Sequence, residues 1–220
     1  MDRWLRIGEM LVAPTGETLY MVALSSFFAV VLGFPVGITL ILTGEGGLLE
    51  SPRLYQIMDG AVNVLRSFPF IILMIVLFPL SRLVVGTTIG TTATVVPLSI
   101  GAAPFVGRIV EGALKEVDPG VIEAALAMGS RVRDVVLKVM IPEALPGLVL
   151  GGTLTVINII GYSAMAGAIG GGGLGDLAIR YGFHRFQTDV LIAAVLVIVV
   201  MVQGIQALGN RLAAYLSRNL

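Results

Sequence analysis

The stretch VLIAAVLVIVVMVQGIQAL, residues 190–208, decides the fold class. It holds no charged side chain and is long enough, as a helix, to cross the ~30 Å hydrocarbon layer of a bilayer. Lipid offers backbone groups no hydrogen-bond partners, so such a run bonds its own N–H and C=O groups by coiling into a helix. Four further apolar runs lie upstream: Thr18–Leu42, Ala61–Val85, Ala93–Leu114 and Ala144–Ile169. Gly33, Phe34, Pro35 and Gly37 interrupt the first, Arg66, Pro69 and Pro79 the second, and Pro97, Gly101, Pro104 and Gly107 the third. Polar or Gly-rich segments separate them: 43–59, 86–94, 115–138 and 170–189. The pattern predicts an all-α, polytopic membrane bundle of about five transmembrane helices, formed as a single domain over residues 1–220.

Composition agrees. Of the 220 residues 56% are hydrophobic and only 13% charged, too few charges to clothe a water-soluble surface. A net charge of +0 supplies no field that would draw nucleic acid. The absence of cysteine excludes disulfides and thiolate metal sites. Residues 1–16 carry Asp2, Arg3, Arg6 and Glu9 and lack the order of a cleaved signal peptide, so insertion is expected to rely on the spans. Prolines within spans predict kinked helices whose freed backbone groups find partners in a bundle. Small residues such as Ala102, Ala103, Gly151, Gly152, Ala164, Gly167 and Ala168 allow those helices close approach.

Basic residues set the orientation. With the N-terminus outside, the inner side receives Arg53, Arg66, Arg108, Lys115, Arg131, Arg133, Lys138, Arg211 and Arg218. The outer side receives Arg3, Arg6, Arg82, Arg180 and Arg185. The expected topology is N-terminus outside and C-terminus inside.

The inner loop between the third and fourth runs reads DPGVIEAALAMG, residues 118–129. Asp118 suits an N-cap, Pro119 the first helical position, and Glu123 the positive end of a helix. Gly129 suits the left-handed residue that ends one. Ser130 is placed to cap a second short helix in which Val132, Val135, Val136 and Val139 recur at helical spacing, with Pro142 ending it. Two short helices hinged at Gly129 therefore present an apolar stripe that needs cover from the membrane, from the bundle or from a partner.

The spacing Glu123-Ala124-Ala125, three residues, Gly129, nine residues, Val139, one residue, Ile141, Pro142 resembles the EAA loop of ABC importer permeases, E-A-A-x3-G-x9-I-x-L-P. Val139 and Ile141 are conservative departures from it. In that family the first short helix is a coupling helix, which implies docking of residues 119–128 into a groove on an ATP-binding subunit. Longer strings are similar to those of methionine-import permeases: GETL at 16–19, NVLRSFPFIIL at 63–73, VGTTIG at 85–90, PEALPGLV at 142–149 and GYSAM at 161–165. The resemblance implies two copies of the chain, two ATP-binding subunits and a periplasmic or lipid-anchored binding protein delivering D- or L-methionine, in a bacterial inner membrane. It implies no catalytic residue and no cofactor in this chain, with ATP and Mg on the partner ATPase.

Other residues carry weaker signals. Met165 follows Tyr162 and Ser163 in the outer half of the fourth run, where two copies would form an apolar gate; it also suits plain packing. Asn158 is polar within the span and suits a pathway lining or an interhelical bond. Arg66 is placed to snorkel to the inner interface. The tract Gly170–Gly175 has no following Lys and is no phosphate loop; a flexible outer loop is expected. His184 is a lone histidine and is expected on the surface.

Three rival functions compare poorly. An ion-gradient carrier would place carboxylates in mid-span, where this sequence has none. A membrane enzyme would need a nucleophile elbow or an acid–base cluster. A permease for another amino acid, a phosphonate or a sulfonate shares the loop, so only the longer strings speak against it.

Overall fold

The computed structural model describes residues 2–218; Met1, Asn219 and Leu220 lie outside the described residues. The chain is helical, with no strand among those residues. Helix α1 spans Asp2–Thr43, α2 Pro52–Ser67, α3 Phe70–Val85, α4 Thr91–Lys115 and α5 Pro119–Ala127. Helices α6 (Val132–Val135) and α7 (Ile141–Glu143) are joined by a π turn, Val136–Met140. Helix α8 is Leu145–Gly167, α9 is Gly173–Leu177 followed by a π turn at Ala178–Phe183, and α10 is Thr188–Ser217.

Four helices, α1, α4, α8 and α10, are each long and apolar enough to cross a membrane, and the bent pair α2–α3 makes a fifth if its two halves are counted as one broken span. The second apolar run is therefore not one kinked helix. Phe68 (ψ 130°) and Pro69 (ψ 127°) are extended, and α2 and α3 meet at 106°. The cause is local: a proline ring pushes the residue before it out of the helical region.

Helix α1 begins at Asp2 rather than near Thr18. Its 42 residues reach about 63 Å at 1.5 Å per residue, twice the hydrocarbon thickness. The charged first turns thus stand beyond the span. They are held there by Arg3, which pairs with Asp189 at 2.6 Å, and by Ile7 packed with Leu177, Val190 and Ala194.

Helix α4 is the centre of the bundle, with Leu98, Ala102, Val106 and Val110 buried. It meets α1 at Gly33 and Gly37, where a Cβ would stand 2.4 Å from the Ala103 carbonyl and 2.5 Å from that of Gly107. Small residues here replace side-chain packing by backbone contact. Helix α10 is the opposite case: Val195, Leu196, Val199 and Val200 are exposed, as suits a lipid-facing helix.

The core continues past the spans. Ala125, Val135, Val136, Met140 and Ala144 belong to the same buried cluster as Val110, Leu114 and Ile159. The valine stripe is thus covered by the protein's own bundle.

Candidate functional site

Helix α5 is built by its ends. The Asp118 carboxylate accepts the Gly120 N–H at 2.7 Å, satisfying one free donor of the first turn. Gly129 has φ +82°, and a pair of bonds closes the helix: Gly129 N–H to the Leu126 carbonyl at 2.9 Å and Ser130 N–H to the Ala125 carbonyl at 3.2 Å. That pairing is the glycine-dependent stop of a helix C-terminus. The nine residues between are therefore a short rigid rod.

The rod has two faces. Ala125 is buried and Ile122 packs on the core, whereas Val121, Ala124, Ala127 and Met128 are exposed. Positions 121, 124 and 128 share one helical face. Ala124 and Ala125 are thus separated by the structure, one free to meet a partner and one committed to the bundle. Glu123 is exposed beside Ala124.

Ser130 does not cap the next helix; Arg131 holds that position with no side-chain cap bond. Pro142 does not end it either. The backbone runs on through the π turn Val136–Met140 into α7 and then α8. A widened turn just before a proline relieves the clash between its ring and the preceding turn's carbonyl. Lys138 bonds Asp134 at 2.7 Å, and this contact holds the Asp134 carboxyl below the usual carboxylate range. Asp134 therefore stays a carboxylate at neutral pH.

Asn158, Tyr162 and Met165 share one face of α8 at spacings of four and three residues. Met165 is 51% exposed, an apolar side chain left about half uncovered. Tyr162 stacks on Phe70 of α3, with centroids 4.3 Å apart and planes at 8°. Ser163 faces the other way, buried, donating to the Ile160 carbonyl at 2.8 Å. The structure thus separates Ser163 from the exposed face. Asn158 and Tyr162 line a cleft of about 270 Å³ together with Arg66, Phe68, Phe70 and Phe105.

Two constellations escaped the sequence. Arg108 of α4 bonds Asp59 and Asn63 of α2 and, at 2.8 Å, Glu111 one turn along α4. It ties the bent helix α2 to the central helix. The glycine tract, expected as a flexible loop, is instead pinned. Gly173 N–H donates to Glu17 at 2.7 Å, Leu174 N–H to Thr18 Oγ1 at 2.9 Å, and Gly90 N–H to the Gly170 carbonyl at 3.0 Å. Gly170, Gly172 and Gly173 have positive φ, which glycine adopts freely. The signal that could have found the first cluster is a polar pair, Asp59 and Asn63, one turn apart on a helix that also bears apolar residues. His184 is exposed, its ring 5.3 Å from that of Phe183.

Comparison with known proteins places this architecture. A family pattern described as binding-protein-dependent transport system inner membrane component matches residues 29–220. The probable D-methionine transport system permease protein MetI of Vibrio cholerae is 46% identical over 211 residues, 96% of this chain and 94% of its own length. Its counterpart in Pasteurella multocida is 50% identical over 208 residues, 94% and 96% of the two chains. Among solved structures, an inward-facing conformation of the MetNI methionine ABC transporter superposes with TM-score 0.93 at 42% identity, over 98% of this chain and 99% of that one. An amino acid ABC transporter with histidines gives TM-score 0.73 at 19% identity, over 99% and 97%, a likeness of fold alone. With the family pattern reaching from residue 29 to the last residue, and relatives matched along nearly their whole length, the chain belongs to the binding-protein-dependent transport system inner membrane component family.

Proposed function

We propose that this chain, as one transmembrane domain, is the permease subunit of an ABC importer for D- and L-methionine. The observation that carries the reading is α5: capped by Asp118, stopped by Gly129, seated through Ala125, and bare at Val121, Ala124 and Met128. A rod of this kind transmits a push from a partner to the spans because its buried face is continuous with their core. The methionine reading is supported by the names of the relatives and of the solved transporter.

Two copies form the pathway and two ATP-binding subunits sit beneath them. Residues 119–128 occupy a groove on each, with Glu123, Ala124 and Gly129 shaping the contact and Ala125 and Pro142 fixing the loop to the bundle. ATP and Mg bind to that partner, which alone does the chemistry; this chain contributes no catalytic group. The α5 end faces the cytoplasm, the N-terminus lies outside and the C-terminus inside, in agreement with the excess of Lys and Arg. A periplasmic or lipid-anchored binding protein delivers the solute at the opposite end. ATP-driven closure of the partners moves the two α5 rods, tilts the bundles and opens the pathway outward; hydrolysis resets it. Met165 of each copy forms an apolar gate.

The test is uptake of radiolabelled L-methionine into proteoliposomes holding this chain, the ATP-binding subunit and the binding protein encoded with it. Uptake that needs all three and ATP, and that D-methionine competes, agrees with the proposal. A reconstituted system that hydrolyses ATP yet accumulates another solute and no methionine contradicts the substrate.

A further inference from the structure

The cleft lined by Arg66, Asn158 and Tyr162 has no role in what has been derived above beyond lying on the face of α8 that bears Met165. Its walls come from four helices: Arg66 from the end of α2, Phe70 and Leu73 from α3, Gly101 and Phe105 from α4, Asn158 and Tyr162 from α8. Gly101 lies near the middle of α4 and Asn158 near the middle of α8, so the back of the cleft reaches mid-helix, while Arg66 and Phe68 at its rim are exposed. A Cβ at Gly101 would press within 3.3 Å of both Leu73 and Phe70, so glycine there keeps the apolar wall in place.

The polar groups of the cleft are unspent. The Arg66 guanidinium, the Asn158 amide and the Tyr162 hydroxyl take no hydrogen-bond or ion-pair partner among the described residues. Arg66 is exposed at the open side of the cleft, so its guanidinium is free to meet an anion that enters there. Its planar fork fits a carboxylate through two parallel bonds. Phe70, Phe105, Phe68 and Leu73 offer the adjoining surface to an apolar side chain. At about 270 Å³ the space falls just under the ~300–1,000 Å³ typical of drug-sized ligands, which suits a metabolite the size of an amino acid.

We infer that this cleft is a transit site for an α-amino acid with an apolar side chain. Arg66 takes the carboxylate, Asn158 and Tyr162 take the amino group through their oxygens, and the phenylalanine wall takes the side chain. The site lies on the exposed face of α8 that carries Met165, two turns from it, so solute passing that residue meets it next. The inference rests on the permease reading and adds that this subunit, and not only the binding protein, selects its solute.

The experiment uses the complex of this chain with its ATP-binding subunit in nanodiscs, without the binding protein, and the diazirine analogue of methionine as probe. After illumination, adducts are mapped by mass spectrometry. The expected result is labelling within residues 65–73, 101–105 and 158–162, competed by L-methionine but not by L-methioninol, which lacks the carboxylate. Arg66→Gln should weaken competition by L-methionine by at least about tenfold, the loss of a charge-assisted pair, and remove the preference over methioninol. Asn158→Leu is the second variant, and co-elution with the ATP-binding subunit shows that each has assembled. Labelling confined to other segments, or labelling at the cleft that neither variant alters, overturns the inference while leaving the permease reading intact. Cleft labelling competed by leucine but not by methionine keeps the site and overturns the methionine assignment. Labelling that appears only in nanodiscs free of anionic lipid means that Arg66 holds a headgroup phosphate, and the transit site is then refuted.

Discussion

Glu17 of α1 accepts the backbone N–H of Gly173 at 2.7 Å across 156 positions of sequence. Beside it, Thr18 Oγ1 accepts the N–H of Leu174 at 2.9 Å, and both residues are buried. Together they fasten α9 to the first helix. Thr18→Val keeps the shape and removes the acceptor, leaving a buried N–H unpaired at a cost of about 1–3 kcal/mol. The purified complex should melt at a lower temperature with Val at this position and near the original temperature with Ser, which retains a hydroxyl. Equal melting of the two variants would show that the clasp contributes nothing.

Arg108 answers two carboxylates, Asp59 and Glu111. Its side chain is 20% exposed, so the group is largely out of water. Arg108→Met should leave the two acids facing each other without a cation and destabilise the protein by about 3 kcal/mol or more. Asp59→Asn should cost less, because Glu111 and Asn63 still satisfy the guanidinium. Thermal melting ranks the pair; the opposite order would mean that α2 is held by its apolar contacts alone.

The contact between α1 and α4 depends on having no side chain at two positions. Gly33→Ala places a methyl 2.4 Å from the Ala103 carbonyl and 2.6 Å from Val106 Cβ, and backbone cannot yield cheaply. A loss of about 1–3 kcal/mol is expected from such overpacking. Gly16, in the same helix, has nothing within 4 Å of the added atom. There Ala should raise stability by about 0.5–1 kcal/mol through helix propensity. Melting curves that place both substitutions on the same side of the original would refute this account of the helix contact.

Part of this architecture is legible in the sequence because lipid imposes a simple rule. An uncharged run such as 190–208 has one way to satisfy its backbone, and α10 covers it. The ends of α5 are legible for a similar reason, since Asp118, Pro119 and Gly129 act on their immediate neighbours. What was not legible depends on distant partners. The first turns of α1, with Arg3, Arg6 and Glu9, fall outside the apolar run that begins near Thr18, because Asp189, the partner of Arg3, is far along the chain. The glycine tract read as slack because Glu17 and Thr18 pin it from the other end of the sequence. Pro69 is a local exception: it read as a kink, whereas the extended pair Phe68 and Pro69 breaks the run into two helices that meet at 106°.

The chain has no cysteine, so a single introduced thiol reports cleanly. If two copies meet through the face of α8 that carries Met165, Met165→Cys should yield a dimer linked by a disulfide under mild oxidant, since that bond needs Cα atoms within about 7 Å. ATP with vanadate, which holds the partners closed, should lower the yield. The lipid-facing control Val200→Cys should give little. Equal yields at the two positions would contradict a gate at Met165.

The central claim is that α5 is the contact through which an ATP-binding subunit drives this chain, and Ala124 is its exposed small residue. The most direct measurement is co-purification of that subunit with affinity-tagged chain from host membranes in mild detergent, for the original sequence and for Ala124→Asp. An ATP-binding subunit recovered with the first and lost with the second, both chains being folded and in the membrane, is the predicted result. Recovery of none with either chain, or undiminished recovery with Ala124→Asp, would contradict the account.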